Sequence, residues 1–377
     1  NRKALPKPEL GDVNGTEYVA PKTEAEKNLA RIWSNVLGIS EDKIGLKSDF
    51  FDLGGHSLLA IQIVNQIKKQ TGKILPISVL FKYSNIEALN AFLNEGDTQK
   101  VSKSLVPIKP SGNKRPIYFI HGAGLNVMNF AELAMSLDKE QPVFGIQALG
   151  LGGKFPPVTT ISEIAKIYVS EIMEHDPNGP YALAGYSLGG FIAIEMRKQF
   201  EALNKQVSVL AMIDTYADHT DNFFTLLPKK LDRHVRKWMA LGISLIRNPN
   251  KTIREQRSIY LEDKQYRYDA IKLAKESGDK EFYKLMKHIR ATYYESQKKS
   301  KMEPFDGFLY LFRAVKCLHY TDDKVYLGWR KYALRGMKEF LIPGDHRTMF
   351  LKPNVEVFAN ALQEVLNTAN SEAKKKK

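Results

Sequence analysis

The sequence predicts two folded parts in series: a small all-α bundle, then a mainly parallel α/β sheet interrupted by a helical insertion. Three observations carry this reading. Apolar residues recur at helical spacing between residues 17 and 96. From Pro116 onwards, short apolar runs alternate with helical patterns, the texture of βαβ units. Between the two lies a polar stretch from Asn94 to Lys114, NEGDTQKVSKSLVPIKPSGNK, with two prolines and no helical period, which reads as a linker. The length of 377 residues agrees, being too great for one ordinary domain.

The bundle begins with a helix whose Leu29, Ile32, Trp33, Val36 and Leu37 form one apolar stripe. Thr23 with Glu26 three residues on is a capping-box signature, and Gly38 is the expected stop. A second helix starts near Ser57, aligns Ala60, Ile63, Val64 and Ile67, and ends at Thr71-Gly72. A third carries Ile86, Leu89, Phe92 and Leu93, with Ser84 as its expected cap. Three or four short-looped helices in about eighty residues make a small bundle. The expected strands of the second part are IYFI (117–120), VFGIQ (143–147), YALAG (181–185), VSVLAMID (207–214), FLYLF (308–312) and EFLI (339–342). Residues 217–303 break the alternation with helical, basic and aromatic sequence. That is too long for a loop and reads as a helical lid over the active edge of the sheet.

Composition narrows the function classes. With 43% hydrophobic and 26% charged residues, a sizeable core is available. The single cysteine, Cys317, excludes a disulfide scaffold and a cysteine-based zinc site. No apolar run is long enough to span a membrane, and the first twenty residues lack the apolar core of a secretory signal, so a cytoplasmic protein is expected. The net charge of +14 raises nucleic acid or an anionic membrane as partners. Its distribution argues against both. Residues 221–300 hold 19 Lys/Arg against 10 Asp/Glu, and four more lysines form the tail Lys374 to Lys377, whereas residues 17–96 are neutral. A solvated helical face and a basic tail account for it, and no metal site is expected.

The strongest chemical signal is Gly185-Tyr186-Ser187-Leu188-Gly189-Gly190, between an expected strand and an amphipathic helix. Such a G-x-S-x-G turn exposes a serine nucleophile at a tight strand-to-helix junction. The Leu188 N–H, at the helix start, is one candidate donor to a developing oxyanion. The second candidate is the Ala123 N–H in His121-Gly122-Ala123-Gly124, directly after IYFI; His121 itself reads as a packing or loop-anchoring residue. α/β-Hydrolases order their triad as serine, acid, histidine. His346, in Pro343-Gly344-Asp345-His346 after the last apolar run, is therefore the expected base, with His319 as its nearest rival. Two positions compete for the acid, Asp214 at the end of VSVLAMID and the pair Asp322 and Asp323 after FLYLF. A separate motif, Asp52-Leu53-Gly54-Gly55-His56-Ser57-Leu58, opens the second helix. A serine there is ordinarily a helix cap. With an acidic residue and two glycines shaping an exposed turn, it also suits a phosphodiester at the positive helix end.

FFDLGGHSLLA (Phe50 to Ala60) closely resembles the core motif of peptidyl carrier domains in nonribosomal peptide synthetases. YVAPKTEAEKNLARIWSNVLG and LFKYSNIEALNAFL look like that family's first and last helices. Residues 105–365 resemble a type I thioesterase, with LVPIKPSG, FIHGAG, GYSLGG, MIDT and PGDHRTMF in family order. The opening NRKALPKPE is similar to the end of an adenylation domain. The resemblance implies a four-helix carrier bundle over 17–96, a linker over 97–114 and an α/β-hydrolase thioesterase domain over 115–370. Its lid would lie at about 217–303, between an adenylation remnant at 1–16 and a basic tail at 371–377. It further implies 4′-phosphopantetheine on Ser57, attached by a phosphopantetheinyl transferase and carrying a peptidyl thioester. Ser187 would take the acyl chain with His346 as base and Asp214, now favoured, as acid; the Ala123 and Leu188 backbone would hold the oxyanion. Release would follow by hydrolysis or macrocyclisation, with adenylation and condensation domains upstream in the same polypeptide. A stand-alone esterase would need no carrier motif, a carrier scaffold would need no triad, and a proofreading thioesterase would not need the fused carrier.

Overall fold

A computed structural model describes residues 18–55, 57–73, 75, 78–95, 104–151, 158–217, 249, 280–300, 302–316, 323 and 325–375. The chain divides into two compact units, one built from the first four helices and the other around a sheet. In the first unit, helix α1 (Glu24–Leu37) has the full capping box, Thr23 and Glu26 each satisfying the other's backbone N–H, and stops at Gly38 in the left-handed region. Helix α2 (Ser57–Thr71), the short α3 (Val79–Lys82) and α4 (Ile86–Glu95) follow. Leu29, Ile32, Trp33, Ile63, Ile67, Leu89 and Phe92 are buried, so the apolar stripes read from the sequence do face the core. The cap of α4 is Asn85, whose side chain accepts from the Ala88 N–H at 2.8 Å. Ser84, expected in that place, instead gives its carbonyl to the Phe50 N–H, tying the turn before α2 to the start of α4.

Among the described residues the sheet has seven strands: β1 (Leu105–Lys109), β2 (Ile117–Ile120), β3 (Val143–Ile146), β4 (Tyr181–Tyr186), β5 (Val207–Ile213), β6 (Leu309–Lys316) and β7 (Met337–Asp345). Their order is β1-β3-β2-β4-β5-β6-β7, and the pairs from β3 through β7 are parallel. Every residue of β2, β3 and β4 is buried, as continuous apolar runs require when helices cover both faces. The strand absent from the sequence reading is β1, inside the expected linker. Pro107 disguised it, yet β1 lies at the sheet edge, where a missing N–H is tolerated, and Val106 and Ile108 alternate inward.

Among the described residues, five helices accompany the sheet: α5 (Ala131–Ser136), α6 (Ile161–His175), α7 (Gly189–Ala202), α8 (Lys280–Lys299) and α9 (Asn354–Lys375). The chain steps from β2 to β3 in one direction and from β4 to β5 in the other. Right-handed crossovers then put α5 and α7 on opposite faces, with α6 packed on α7 and α9 on α5. The reversal beside β2 is the topological switch point, where open α/β sheets place their sites. Of the insertion expected over 217–303, helix α8 is its main described element, and most of the rest lies outside the described residues, as does the adenylation-like start. Helix α9 runs on to Lys375, so the basic tail begins on a helix. No helix among the described residues is long and apolar enough to cross a membrane.

Candidate active site

The site is built from the loops that follow β2, β4, β5 and β7. Ser187 directly follows β4 with φ +52°, a left-handed conformation that costs a non-glycine residue roughly 1–3 kcal/mol. The surroundings hold it there. Its N–H donates to the Ile213 carbonyl at 3.0 Å, and the Thr215 hydroxyl donates to its carbonyl at 3.0 Å. A Cβ on Gly185 would lie 2.5 Å from the Gly189 carbonyl, and one on Gly189 would lie 2.5 Å from the carbonyls of Ile120 and His121. The glycines therefore let the elbow close against the end of β2. Ser187 is partly exposed while its neighbours Tyr186 and Leu188 are buried.

Asp214 and His346 come together from the ends of β5 and β7. Asp214 Oδ2 lies 2.6 Å from His346 Nδ1, and Oδ1 accepts from the Ala314 N–H at 3.1 Å. The Asp214 carboxylate is nearly sealed, with 3% of its side chain exposed, while His346 keeps 22%. That contrast leaves the rest of the imidazole reachable while the carboxylate can serve only its fixed partners. The His346 loop is held by Asp345, whose carboxylate accepts from the N–H groups of Arg347 and Thr348, both at 2.9 Å. Burial alone would raise the Asp345 pKa, but these hydrogen bonds outweigh it and hold the carboxyl below its usual value. Asp323 is occupied elsewhere. Its carboxylate accepts from the N–H groups of Val325, Tyr326 and Gly328 and shapes that turn. Asp322 and His319 lie outside the described residues.

The two loops expected to bear oxyanion donors are adjacent, since Ile120 of β2 pairs with Gly185 of β4. Ala123 lies in the turn after β2, where the Leu125 N–H donates to the Gly122 carbonyl at 3.0 Å. Leu188 is the N-cap of α7. His121 is fully buried and belongs to the scaffold of this loop.

Three positioning residues escaped the sequence reading. Tyr186 donates to the His346 carbonyl at 2.8 Å and stacks on the imidazole with ring centroids 4.7 Å apart. Thr215 braces the elbow, and the Trp329 indole N–H in turn donates to the Thr215 carbonyl at 2.7 Å. Tyr186 lies within GYSLGG and Thr215 within MIDT, but a hydroxyl's partner across the sheet leaves no periodic signal. Trp329 had no local signal at all.

In the helical unit, Ser57 is the first residue of α2. Ahead of it, Asp49 accepts from the N–H groups of Phe51 and Asp52 and shapes an exposed turn containing Gly54. A phosphodiester fits such a helix start, where backbone N–H groups and the helix dipole favour an anion.

Residues 27–93 match the family described as a phosphopantetheine attachment site, and residues 115–358 match the thioesterase domain family. The chain is 35% identical over 220 residues to a dimodular nonribosomal peptide synthase of Bacillus subtilis (strain 168), covering 58% of this chain and 9% of that protein. It is 24% identical over 391 residues to chondramide synthase of Chondromyces crocatus, covering 97% of this chain and 10% of that protein. The chain thus spans about a tenth of the length of either relative. Among solved structures it is similar to holo-AB3403, a four-domain nonribosomal peptide synthetase bound to AMP and glycine. The TM-score is 0.56 at 25% identity, over 97% of this chain and 27% of that one. With well over half of its length matched, the chain belongs to the thioesterase domain family, and a phosphopantetheine attachment domain precedes the thioesterase on the same polypeptide.

Proposed function

We propose that this chain is the terminating carrier and thioesterase pair of a nonribosomal peptide synthetase and releases a finished peptidyl chain through an acyl-enzyme on Ser187. The observation that carries the reading is the 2.6 Å contact of Asp214 Oδ2 with His346 Nδ1, with Ser187 held at φ +52° and its N–H bonded to the carbonyl of Ile213, the residue before Asp214. Because a carboxylate can only accept, Nδ1 carries the proton and Nε2 is left as the free base. His346 takes the Ser187 proton as Oγ adds to the acyl carbonyl, and Asp214 stabilises the imidazolium that results. The N–H groups of Ala123 and Leu188 receive the developing oxyanion, each donor being typically worth ~2.7–4 kcal/mol. His346 then returns the proton to the leaving sulfur. Water, or a nucleophile within the acyl chain, opens the acyl-enzyme in a second round of the same steps.

Ser57 is the residue we assign to hold phosphopantetheine, which when bound supplies the thiol that presents the acyl chain as a thioester. The partners in this reading are a phosphopantetheinyl transferase that loads Ser57 and adenylation and condensation domains that build the chain upstream. An intact-mass time course on pantetheinylated protein bearing a peptidyl group tests it, with wild type beside Ser187→Ala. Wild type sheds the acyl group, and the variant keeps it. The released mass separates hydrolysis from cyclisation. Equal shedding by both proteins would remove Ser187 from the reaction, and failure to accept the pantetheine arm would remove the carrier role.

A further inference from the structure

A line of buried polar groups runs from the insertion to the loop after β2. The Leu149 N–H donates to the Tyr293 hydroxyl at 3.0 Å. The Tyr293 and Tyr168 hydroxyls lie 2.7 Å apart, Tyr168 lies 3.1 Å from His121 Nε2, and His121 Nδ1 lies 2.7 Å from the Gly122 carbonyl. Tyr293, Tyr168 and His121 are all fully buried. The four contacts join α8, the loop after β3, α6 and the loop after β2.

The chemistry at one end orients every proton in the line. A carbonyl can only accept, so Nδ1 of His121 carries a hydrogen and donates it to Gly122. Burial pushes the His121 pKa down to about 4, so the ring is neutral near pH 7 and Nε2 is a bare acceptor. The Tyr168 hydroxyl must then donate to Nε2. Its oxygen is left to accept from the Tyr293 hydroxyl, whose own oxygen accepts from Leu149. Burial also raises the pKa of both phenols, so neither gives up its proton.

The far end of the line is the Gly122–Ala123 peptide. A trans peptide is planar, and its C=O and N–H point in opposite directions. Fixing the Gly122 carbonyl therefore fixes where the Ala123 N–H points. That carbonyl is held twice, by His121 Nδ1 and by the Leu125 N–H.

We propose that Tyr293, Tyr168 and His121 form a one-directional hydrogen-bond relay that aims the Ala123 N–H into the oxyanion site. The insertion thereby acts on catalysis through a fixed helix. All three are positioning residues, and the proposal rests on the reading of Ala123 as an oxyanion donor. Helix α8 is suited to the task because Ile289 and Tyr293 are buried and the Ser296 hydroxyl donates to the Thr159 carbonyl at 2.9 Å, docking it beside the start of α6.

The experiment uses the full chain labelled with ¹⁵N-histidine and ¹⁵N-alanine, with a short soluble acyl thioester as substrate. At pH 7, long-range ¹H–¹⁵N spectra of the wild type should show His121 protonated on Nδ1 and bare on Nε2. Tyr168→Phe should move the Ala123 amide resonance and lower kcat by about ten- to a hundredfold with KM nearly unchanged, short of the ~10²–10³ loss from deleting an oxyanion donor outright. Tyr293→Phe, one link further away, should shift the same resonance the same way by less. An Nε2–H tautomer, or an Ala123 amide indifferent to both variants, would overturn the relay itself. If the Ala123 amide moves while kcat stays at the wild-type value, the relay exists but Ala123 is no oxyanion donor, and its catalytic half is overturned with that assignment. The tautomer is read in the unmodified protein, so a variant that folds poorly leaves the test intact.

Discussion

The phenol of Tyr186 donates to the main-chain carbonyl of His346 at 2.8 Å and stacks on its imidazole 4.7 Å away, centroid to centroid. The residue before Ser187 thus carries the His346 loop, tying the ends of β4 and β7 across two intervening strands. Tyr186→Phe keeps the stack and loses the hydrogen bond, a contribution of about 1 kcal/mol. Turnover should fall by roughly fivefold with KM little changed, while Tyr186→Ala, which removes both contacts, should lose considerably more. Steady-state kinetics on a soluble acyl thioester decide it, and a Phe variant with altered KM and full kcat would place Tyr186 in substrate binding instead.

Asp214→Asn tests the choice of acid. The Ala314 N–H holds Oδ1 as an acceptor, so an asparagine keeps its oxygen there and turns its NH₂ towards His346. Nδ1 must then accept, which moves the ring proton to Nε2 and abolishes the base. The expected loss in kcat is ~10⁴, the scale on which wrong-tautomer triads fail. Asp323→Asn should instead loosen the 323–328 turn and leave turnover within about threefold, a change below ~1 kcal/mol. The reverse pattern would reassign the acid.

Ser57→Ala separates the two units. Mass spectrometry after incubation with coenzyme A and a phosphopantetheinyl transferase should show no addition to the variant. Hydrolysis of a soluble acyl thioester should stay within about twofold of wild type, a change of ~0.5 kcal/mol, because the assigned role of Ser57 is to carry the arm and not to act in the triad. Loss of that hydrolysis as well would give Ser57 a structural duty that the assigned role does not include.

The sequence made legible whatever repeats or sits in one short segment. The apolar stripes of α1, α2 and α4, the runs that became β2 to β7, and the Thr23 capping box each depend on residues a few positions apart. The strand-to-helix turn at Ser187 and the strand-end loop at His346 were legible because each has a local signature. Position alone leaves open whether Asp214 or the 322–323 pair meets His346, because strand order decides which carboxylate reaches that ring, and order is a long-range property. The same limit hid Tyr168 and Tyr293, which are 125 residues apart and meet only once α8 docks beside α6. Edge strand β1 was lost to Pro107, whose meaning depends on whether its strand has one neighbour or two.

His121 gives the fold a pH dependence of definite sign. Its pKa falls from 6.5 to about 4 through burial, whereas in the unfolded chain it titrates near 6.5. Between these values the unfolded state binds a proton that the folded state does not, so stability rises with pH across the window. The contribution is fully present above about pH 6.5 and is lost as pH falls towards 4, ~3 kcal/mol in all at 1.36 kcal/mol per pKa unit. The lowered carboxyl groups of Asp345, Glu163 and Asp138 titrate below their ordinary 3.8 to 4.5, outside most of that window. Urea unfolding at pH 7.5 and 5.5 should therefore show the wild type losing ~1 kcal/mol more than His121→Gln, whose side chain keeps polar atoms but does not titrate. Equal losses would mean that the buried imidazole accepts a proton in the folded state. Such a proton would sit on Nε2, reverse the Tyr168 hydroxyl and break the direction of the line that ends at Gly122.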